Sequence, residues 1–274
     1  MLPNFLGLGA ARSGSTWIAR NLLEHPDVFV PRKKELHFFD RHYQEDLGAY
    51  EQEFAGASGQ KAIGEITPQY FHNESVTPLI GRHLPDVSMF VSLRNPVDRA
   101  YSHYWRIVAM SESDNNPSFE EFLKLSDDVL EVGYYHKHLM RFYKYFQPEQ
   151  IKVLFYEDLR DRPAEFITQI LEFLEVEAYT KDVLVHQRVN AAASLKGLAK
   201  SENLWFLDRL SKRLGLHSLT AKIEKINRSQ IPPMNPETRS WLVSHYAESN
   251  RRLEELLGRD LSDWYVASKT EPMQ

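Results

Sequence analysis

Residues Asn4–His25, NFLGLGAARSGSTWIARNLLEH, constrain this chain more than any other stretch. A short apolar run from Phe5 to Leu8 predicts a strand. Gly9-Ala10-Ala11-Arg12-Ser13-Gly14 predicts a turn bounded by glycines. From Ser15 to Leu23 the apolar residues recur at helical spacing. A strand that passes through such a loop straight into a helix aims the free N–H groups and the positive dipole end of that helix at the loop. That arrangement suits a phosphate.

Gly9 and Gly14 stand at the spacing of G-x-x-x-x-G-K-[ST], the P-loop of nucleotide-binding enzymes. Ser15 occupies the lysine position. A P-loop lysine reaches the β- and γ-phosphates of a triphosphate, and the next hydroxyl holds Mg²⁺. Serine cannot put a cation there. The loop keeps its cradle, the Thr16 hydroxyl and one cation, Arg12. It therefore fits an anion that is not a metal-bound γ-phosphate. By residues alone, an ordinary glycine-containing βα turn is the competing reading.

Further strands are predicted at Asp27–Val30, Lys61–Glu65, Ser88–Leu93 and Ile151–Tyr156. Helical patterns lie between them, at Arg41–Phe54, from about Val97, at Phe119–Leu125, Gly133–Phe146, Pro163–Leu174 and from Pro236 to about Leu257. Strands alternating with helices imply a parallel sheet covered on both faces. The expected fold is α/β: a P-loop-like three-layer arrangement with a central, mostly parallel sheet. The 274 residues, 42% of them apolar, suffice for one sizeable core. We expect one domain over residues 1–266 and a tail over 267–274. The net charge of −5 argues against general nucleic-acid binding, and the absence of cysteine excludes disulfides and thiolate chemistry. No stretch approaches the ~20 apolar residues of a membrane span. The N-terminus lacks a basic leader and a long apolar run. The expectation is a soluble, cytoplasmic protein.

Two later stretches carry chemistry. Arg94-Asn95-Pro96 ends the fourth strand, and Ser102 falls in the early turns of the helix that follows. An arginine at a strand's C-terminal end, beside a helix hydroxyl, makes a second compact anion site in the crevice where open α/β sheets bind ligands. Separately, Arg94 reads as a helix-cap ion pair and Ser102 as a solvated serine. Earlier, the basic turn Pro31-Arg32-Lys33-Lys34 leads into Glu35-Leu36-His37-Phe38-Phe39-Asp40. The alternation there predicts an extended or turn-like segment with Glu35 and His37 pointing the same way. That pair is either a general-base arrangement or a surface acid beside a histidine packed on aromatics.

Together these motifs resemble the PAPS-dependent sulfotransferases, PAPS being 3′-phosphoadenosine 5′-phosphosulfate. In that family a basic residue, small residues and threonine follow the first strand and hold the 5′-phosphosulfate. The resemblance implies cofactor contacts from Arg12, Ser13, Gly14, Ser15, Thr16 and Trp17, with no metal. LRNPVDRAYSHYWR is similar to the family's R-[ND]-P-x-x-R-x-x-S-x-[YH], which implies that Arg94 and Ser102 hold the 3′-phosphate. KELHFFD resembles the heparan-sulfate-type members, which implies by position that Glu35 is the base, that Glu35 and His37 with Arg12 form the catalytic set, and that Asp40 is a supporting neighbour. Where the family often reads E-K-T-P-x-Y, this chain has Ile66. Either that lysine's role is dispensable for this acceptor, or Lys33, Lys34 or Arg12 supplies the charge. Arg228 matches the arginine of a K-G-R loop over the 3′-phosphate, although Ile226 and Asn227 replace the other two residues. Asp158, in YEDL, is read as structural rather than as a metal ligand.

Residues 191–230 contain eight Lys/Arg and three acids, 8 − 3 = +5 in a chain of −5. Leu204, Leu207, Leu210 and Leu214 share one side there. The segment reads as an amphipathic helix with a solvated basic face, a lid, a clamp for an acidic acceptor, or a membrane-surface helix over 203–214. The function implied by the resemblance is sulfuryl transfer from PAPS to an acceptor hydroxyl or amine. A carbohydrate is the expected acceptor, with a small metabolite or lipid alcohol next. A P-loop kinase or NTPase would instead consume ATP with magnesium. A non-catalytic nucleotide- or lipid-binding module would show no turnover for Glu35→Gln to abolish.

Overall fold

The computed structural model describes residues 1–111, 115–125, 127–177 and 231–267. Five strands form one sheet: β1 Phe5–Gly9, β2 Val28–Phe29, β3 Ala62–Ile66, β4 Ser88–Leu93 and β5 Ile151–Phe155. Their order is β2-β3-β1-β4-β5 and every pairing is parallel, so the expected mostly parallel sheet is wholly so. The helices are α1 Ser15–Leu23, α2 Phe38–Arg41, α3 Gly48–Gln52, α4 Val76–His83, α5 Pro96–Met110, α6 Phe119–Leu125, α7 Asp127–Glu131, α8 Tyr135–Phe142, α9 Tyr156–Asp161, α10 Pro163–Phe173 and α11 Pro236–Leu257.

Strand alternation sorts the core onto two faces. Leu6 and Leu8 of β1, Met89, Val91 and Leu93 of β4, and Ile151 and Phe155 of β5 pack with Tyr135, Leu139 and Phe142 of α8 and Leu253 of α11. Phe5, Phe90 and Leu154 point the other way, against Trp17, Ile18 and Leu22 of α1 and Phe166 and Ile170 of α10. After β1 the chain builds β2 and β3 on one side, then crosses to place β4 on the other. The crevice between the C-terminal ends of β1 and β4 is thus the topological switch point, where open α/β sheets bind ligands.

The sequence expectation fails locally over 35–54. The apolar residues Tyr43, Leu47, Tyr50 and Phe54 do pack on the core, but the predicted helix is replaced by the short α2 and α3, and only Tyr50 of the four lies in a helix. The Asp46 carboxylate accepts from the Gly48 backbone N–H at 2.9 Å, a local turn that competes with helix continuation. Residues 35–40 are not extended either. Glu35 and His37 have φ of 65° and 55°, and α2 begins at Phe38. Strand β3 starts one residue later than predicted and includes Ile66. Helix α8 is shorter than its apolar stripe, with Phe146 buried beyond its end. The basic segment 191–230, the 203–214 stretch, Arg228 and residues 268–274 lie outside the described residues.

Candidate active site

The loop between β1 and α1 is shaped by its two glycines. Gly9 has φ 136°, and a Cβ there would sit 2.6 Å from the Pro68 carbonyl oxygen. Gly14 has φ 91° and closes against the Leu159 side chain. Both positions exclude a side chain by conformation and by space. Gly14 precedes α1, whose first turn has no side-chain cap and no acid. The Ser13 hydroxyl is fully buried and has no partner among the described residues. A buried hydroxyl at the open N-terminus of a helix is a polar group short of its partner, and an anion in the loop supplies one.

Arg12 joins the two predicted phosphate motifs. Its Nε donates to Ser102 Oγ at 3.1 Å, and its carbonyl accepts from Arg94 at 3.2 Å. Arg94 also lies over the Tyr156 ring, 4.6 Å from guanidinium carbon to ring centre. Ser102 is buried on α5, whose start is fixed by Pro96 and by the Asn95 side chain accepting from the Val97 N–H at 3.0 Å. Burial pushes the Arg12 guanidinium down to about 10, and the charges of Arg106 and Arg94 push in the same direction. Among the described residues no carboxylate pairs with Arg12, Arg94 or Arg106. Burial and the charge of Arg99 likewise push His103 down to about 4. Arg12, Arg94 and Arg106 thus form a positive cluster, with the buried Glu157 carboxyl feeling the Arg94 charge.

The turn before α2 carries the acid and histidine that the sequence singled out. His37 Nε2 lies 3.6 Å from Glu35 Oε2, and His37 Nδ1 lies 2.8 Å from Asp40 Oδ2. Glu35 and His37 do meet as predicted, but two left-handed residues bring them together, not strand alternation. Non-glycine residues in that region are uncommon and strained, and functional sites collect them. Burial raises the Glu35 carboxyl, but the charge and hydrogen bond of Lys34, with His37 and Gln69, outweigh it and hold it below its ordinary value.

Glu65 anchors this turn, a role the sequence reading missed. Its buried carboxylate accepts from Tyr50 Oη (2.8 Å), Tyr70 Oη (2.9 Å), Thr67 Oγ1 (2.5 Å) and the Leu36 N–H (3.3 Å). Leu36 lies between Glu35 and His37, so β3 holds the turn through this one side chain. Tyr70 Oη in turn accepts from the Phe39 N–H at 3.2 Å. Burial raises the Glu65 pKa, and the four donors oppose the rise. The available signal was a carboxylate inside an otherwise apolar strand, AIGEI. Gln69 was missed too: its amide donates to Glu35 Oε2 at 3.5 Å.

The remaining sequence candidates divide. Ser15 and Thr16 present their hydroxyls to Lys34. The Trp17 ring packs edge-on to Phe166 in the core, so any contact with a ligand at the loop falls to its backbone N–H. Asp158 is bonded to Arg162 at 3.1 Å and Arg259 at 3.0 Å, the structural role expected of it. Among the described residues no group of three or more His, Asp or Glu could hold a metal ion, and no helix is long and apolar enough to cross a membrane.

The sulfotransferase domain model matches residues 3–212. The chain is 26% identical to human bifunctional heparan sulfate N-deacetylase/N-sulfotransferase 3, over 96% of this chain and 31% of that protein. It is also 26% identical to mouse heparan sulfate glucosamine 3-O-sulfotransferase 3B1, over 94% of this chain and 64% of that protein. This chain therefore spans about a third of the first and less than two thirds of the second. The crystal structure of a sulfotransferase from Alicyclobacillus acidocaldarius superposes with a TM-score of 0.72 at 26% identity, covering 97% of this chain and 100% of that one. The chain belongs to the sulfotransferase family, and it shares its α/β fold with that crystal structure.

Proposed function

We propose that this protein transfers a sulfuryl group from PAPS to a hydroxyl or amine of an acceptor, leaving PAP, with a carbohydrate as the first acceptor class to test. One observation carries the reading. Arg12 is bonded at once to Ser102 and to Arg94, which fuses the 5′-loop and the 3′-motif into one cationic cluster with a buried, unpartnered Ser13 hydroxyl beside it. That donor set fits a nucleotide phosphorylated at both ends. The carbohydrate class is supported by the Glu35–His37–Asp40 segment and by the heparan sulfate relatives.

PAPS supplies an activated sulfuryl group on a phosphate leaving group. The protein's residues supply position and charge. Arg94 and Ser102 hold the 3′-phosphate. The Ser13–Thr16 N–H groups and Arg12 hold the 5′ end and stabilise the charge that builds on the leaving phosphate. Glu35 takes the acceptor's proton, and Asp40 holds the His37 ring against Glu35. A single positioned base contributes about 10²–10⁴-fold. Glu35→Gln should therefore lose turnover of labelled sulfate by about that factor while PAP affinity persists. Unchanged turnover would pass the base role to His37. Arg94→Ala should weaken PAP about 10- to 100-fold, the worth of charge-assisted hydrogen bonds. Unaltered affinity would overturn the 3′-phosphate assignment.

A further inference from the structure

The loop lacks a lysine at position 15, and β3 cannot replace it, because Ile66 is buried in the core beneath the site. A cation nevertheless stands over the loop. Lys34 arrives from the β2–α2 connection, and its ammonium donates to Thr16 Oγ1 at 2.9 Å, Ser15 Oγ at 3.4 Å and Glu35 Oε1 at 2.9 Å. An ammonium has three donors. All three are engaged, two by the phosphate loop and one by the proposed base. Its neighbours Arg32 and Lys33 are exposed. Burial lowers the Lys34 pKa, Glu35 pushes it back up, and Arg106 and Arg12 add to the lowering. Lys34 thus sits in a region crowded with cations, tethered to one carboxylate.

We propose that Lys34 is the catalytic cation of this sulfotransferase: it holds Glu35 in the free protein and exchanges that carboxylate for the phosphosulfate when PAPS fills the loop. This inference rests on the sulfotransferase reading above. In the transfer step the acceptor oxygen–sulfur bond forms as the bond from sulfur to the 5′-phosphate oxygen breaks. The electron pair of the broken bond stays on PAP, and the acceptor's proton passes to Glu35. Lys34 keeps its three protons and stabilises the charge on the leaving oxygen. The exchange has a second effect. Glu35 loses the cation that depresses its basicity, so the base becomes effective only once the donor is in place. An acceptor arriving first would meet a carboxylate already paired.

The alternative is a plain ion pair in which Lys34 only balances Glu35. A charge-conserving double variant separates the two. Calorimetric titration with PAP and with PAPS would compare wild type, Glu35→Gln, Lys34→Met/Glu35→Gln and Lys34→Arg/Glu35→Gln. If Lys34 moves to the ligand, Glu35→Gln binds at least as tightly as wild type. The Lys34→Met/Glu35→Gln protein binds about tenfold more weakly, the loss of one charge-assisted contact. The Lys34→Arg/Glu35→Gln protein stays within about threefold, because it keeps a cation, and its binding shows that the doubly substituted turn still folds. Equal affinity of wild type and Lys34→Met/Glu35→Gln would overturn the exchange and leave the sulfotransferase reading intact. Wild type that binds neither PAP nor PAPS would remove the underlying reading, and this inference with it.

Discussion

Glu65→Gln tests whether the catalytic turn is held from β3. The carboxylate accepts four hydrogen bonds, two at each oxygen: Tyr50 and Tyr70 at Oε1, Thr67 and the Leu36 N–H at Oε2. Glutamine keeps the size and one acceptor oxygen, but its NH₂ faces two donors whichever way the amide is turned. Two buried hydrogen bonds are lost, at about 1–3 kcal/mol each. The tyrosine hydroxyls can swing to accept from the amide, whereas the Leu36 N–H cannot reverse. The amide should therefore turn its NH₂ toward the tyrosines, and the cost falls at the low end, about 2–3 kcal/mol. Urea unfolding measures this as a lowered midpoint at unchanged slope. Because Leu36 then keeps its acceptor, PAP affinity should change little, while turnover falls as Tyr70 loosens its hold on Phe39. Leucine at 65 leaves all four donors unpartnered and should cost more than glutamine. A loss under about 0.5 kcal/mol in Glu65→Gln would refute the reasoning, since that is the range of ordinary surface substitutions.

Four other outcomes follow from the same geometry. A base must be ionised to work, so activity is lost as pH falls through the Glu35 pKa. That value lies below its ordinary one in the free protein, and the acid limb of the kcat/KM profile should sit correspondingly low. Lys34→Ala removes the largest lowering influence and should shift that limb upward; a limb that stays in place would separate it from Glu35. Gly14→Ala adds a Cβ at φ 91° against the Leu159 side chain, and should cost about 1–3 kcal/mol of stability along with PAP affinity. Native stability and affinity in that variant would count against the loop geometry. Ser102→Ala removes one neutral acceptor of Arg12 and should weaken PAP less than Arg94→Ala does, about 3- to 10-fold by titration; an effect equal to that of Arg94→Ala would reverse their ranking.

The parts of this molecule with regular periodicity were legible in the sequence. Strand β1, helix α1, Pro96 at the start of α5 and the whole of α11 follow from apolar spacing and capping residues. The two proposed phosphate motifs were read from glycine, arginine and hydroxyl residues and from their resemblance to the family's pattern, and the structure brings their residues Arg12, Arg94 and Ser102 together. The turn at 35–40 was legible in composition but not in shape. Its alternation suggested an extended or turn-like segment; the turn is what forms, and Phe38 and Phe39 are both buried, which extended alternation forbids. The actual path uses left-handed residues at Glu35 and His37, and neither residue type announces that conformation. Glu65 was hidden, and Lys34 stood as one of three candidates, for a different reason. Each acts through contacts between segments distant in sequence, β3 to the 36–39 turn and residue 34 to residues 15 and 16, and local pattern carries no information about such contacts. Of the three cations considered for the charge missing at Ile66, the structure puts Lys34 and Arg12 at the loop and Lys33 in solvent.

The most direct test of the account is a calorimetric comparison of PAP with ADP, each without magnesium. Both carry two phosphates on adenosine, but only PAP has one at the 3′ position for Arg94 and Ser102. The joined cluster predicts that PAP binds about 100-fold more tightly, the worth of roughly two charge-assisted contacts. ADP binding as tightly as PAP, or ATP surpassing it once magnesium is added, would contradict the claim that this crevice is built for a nucleotide phosphorylated at both ends.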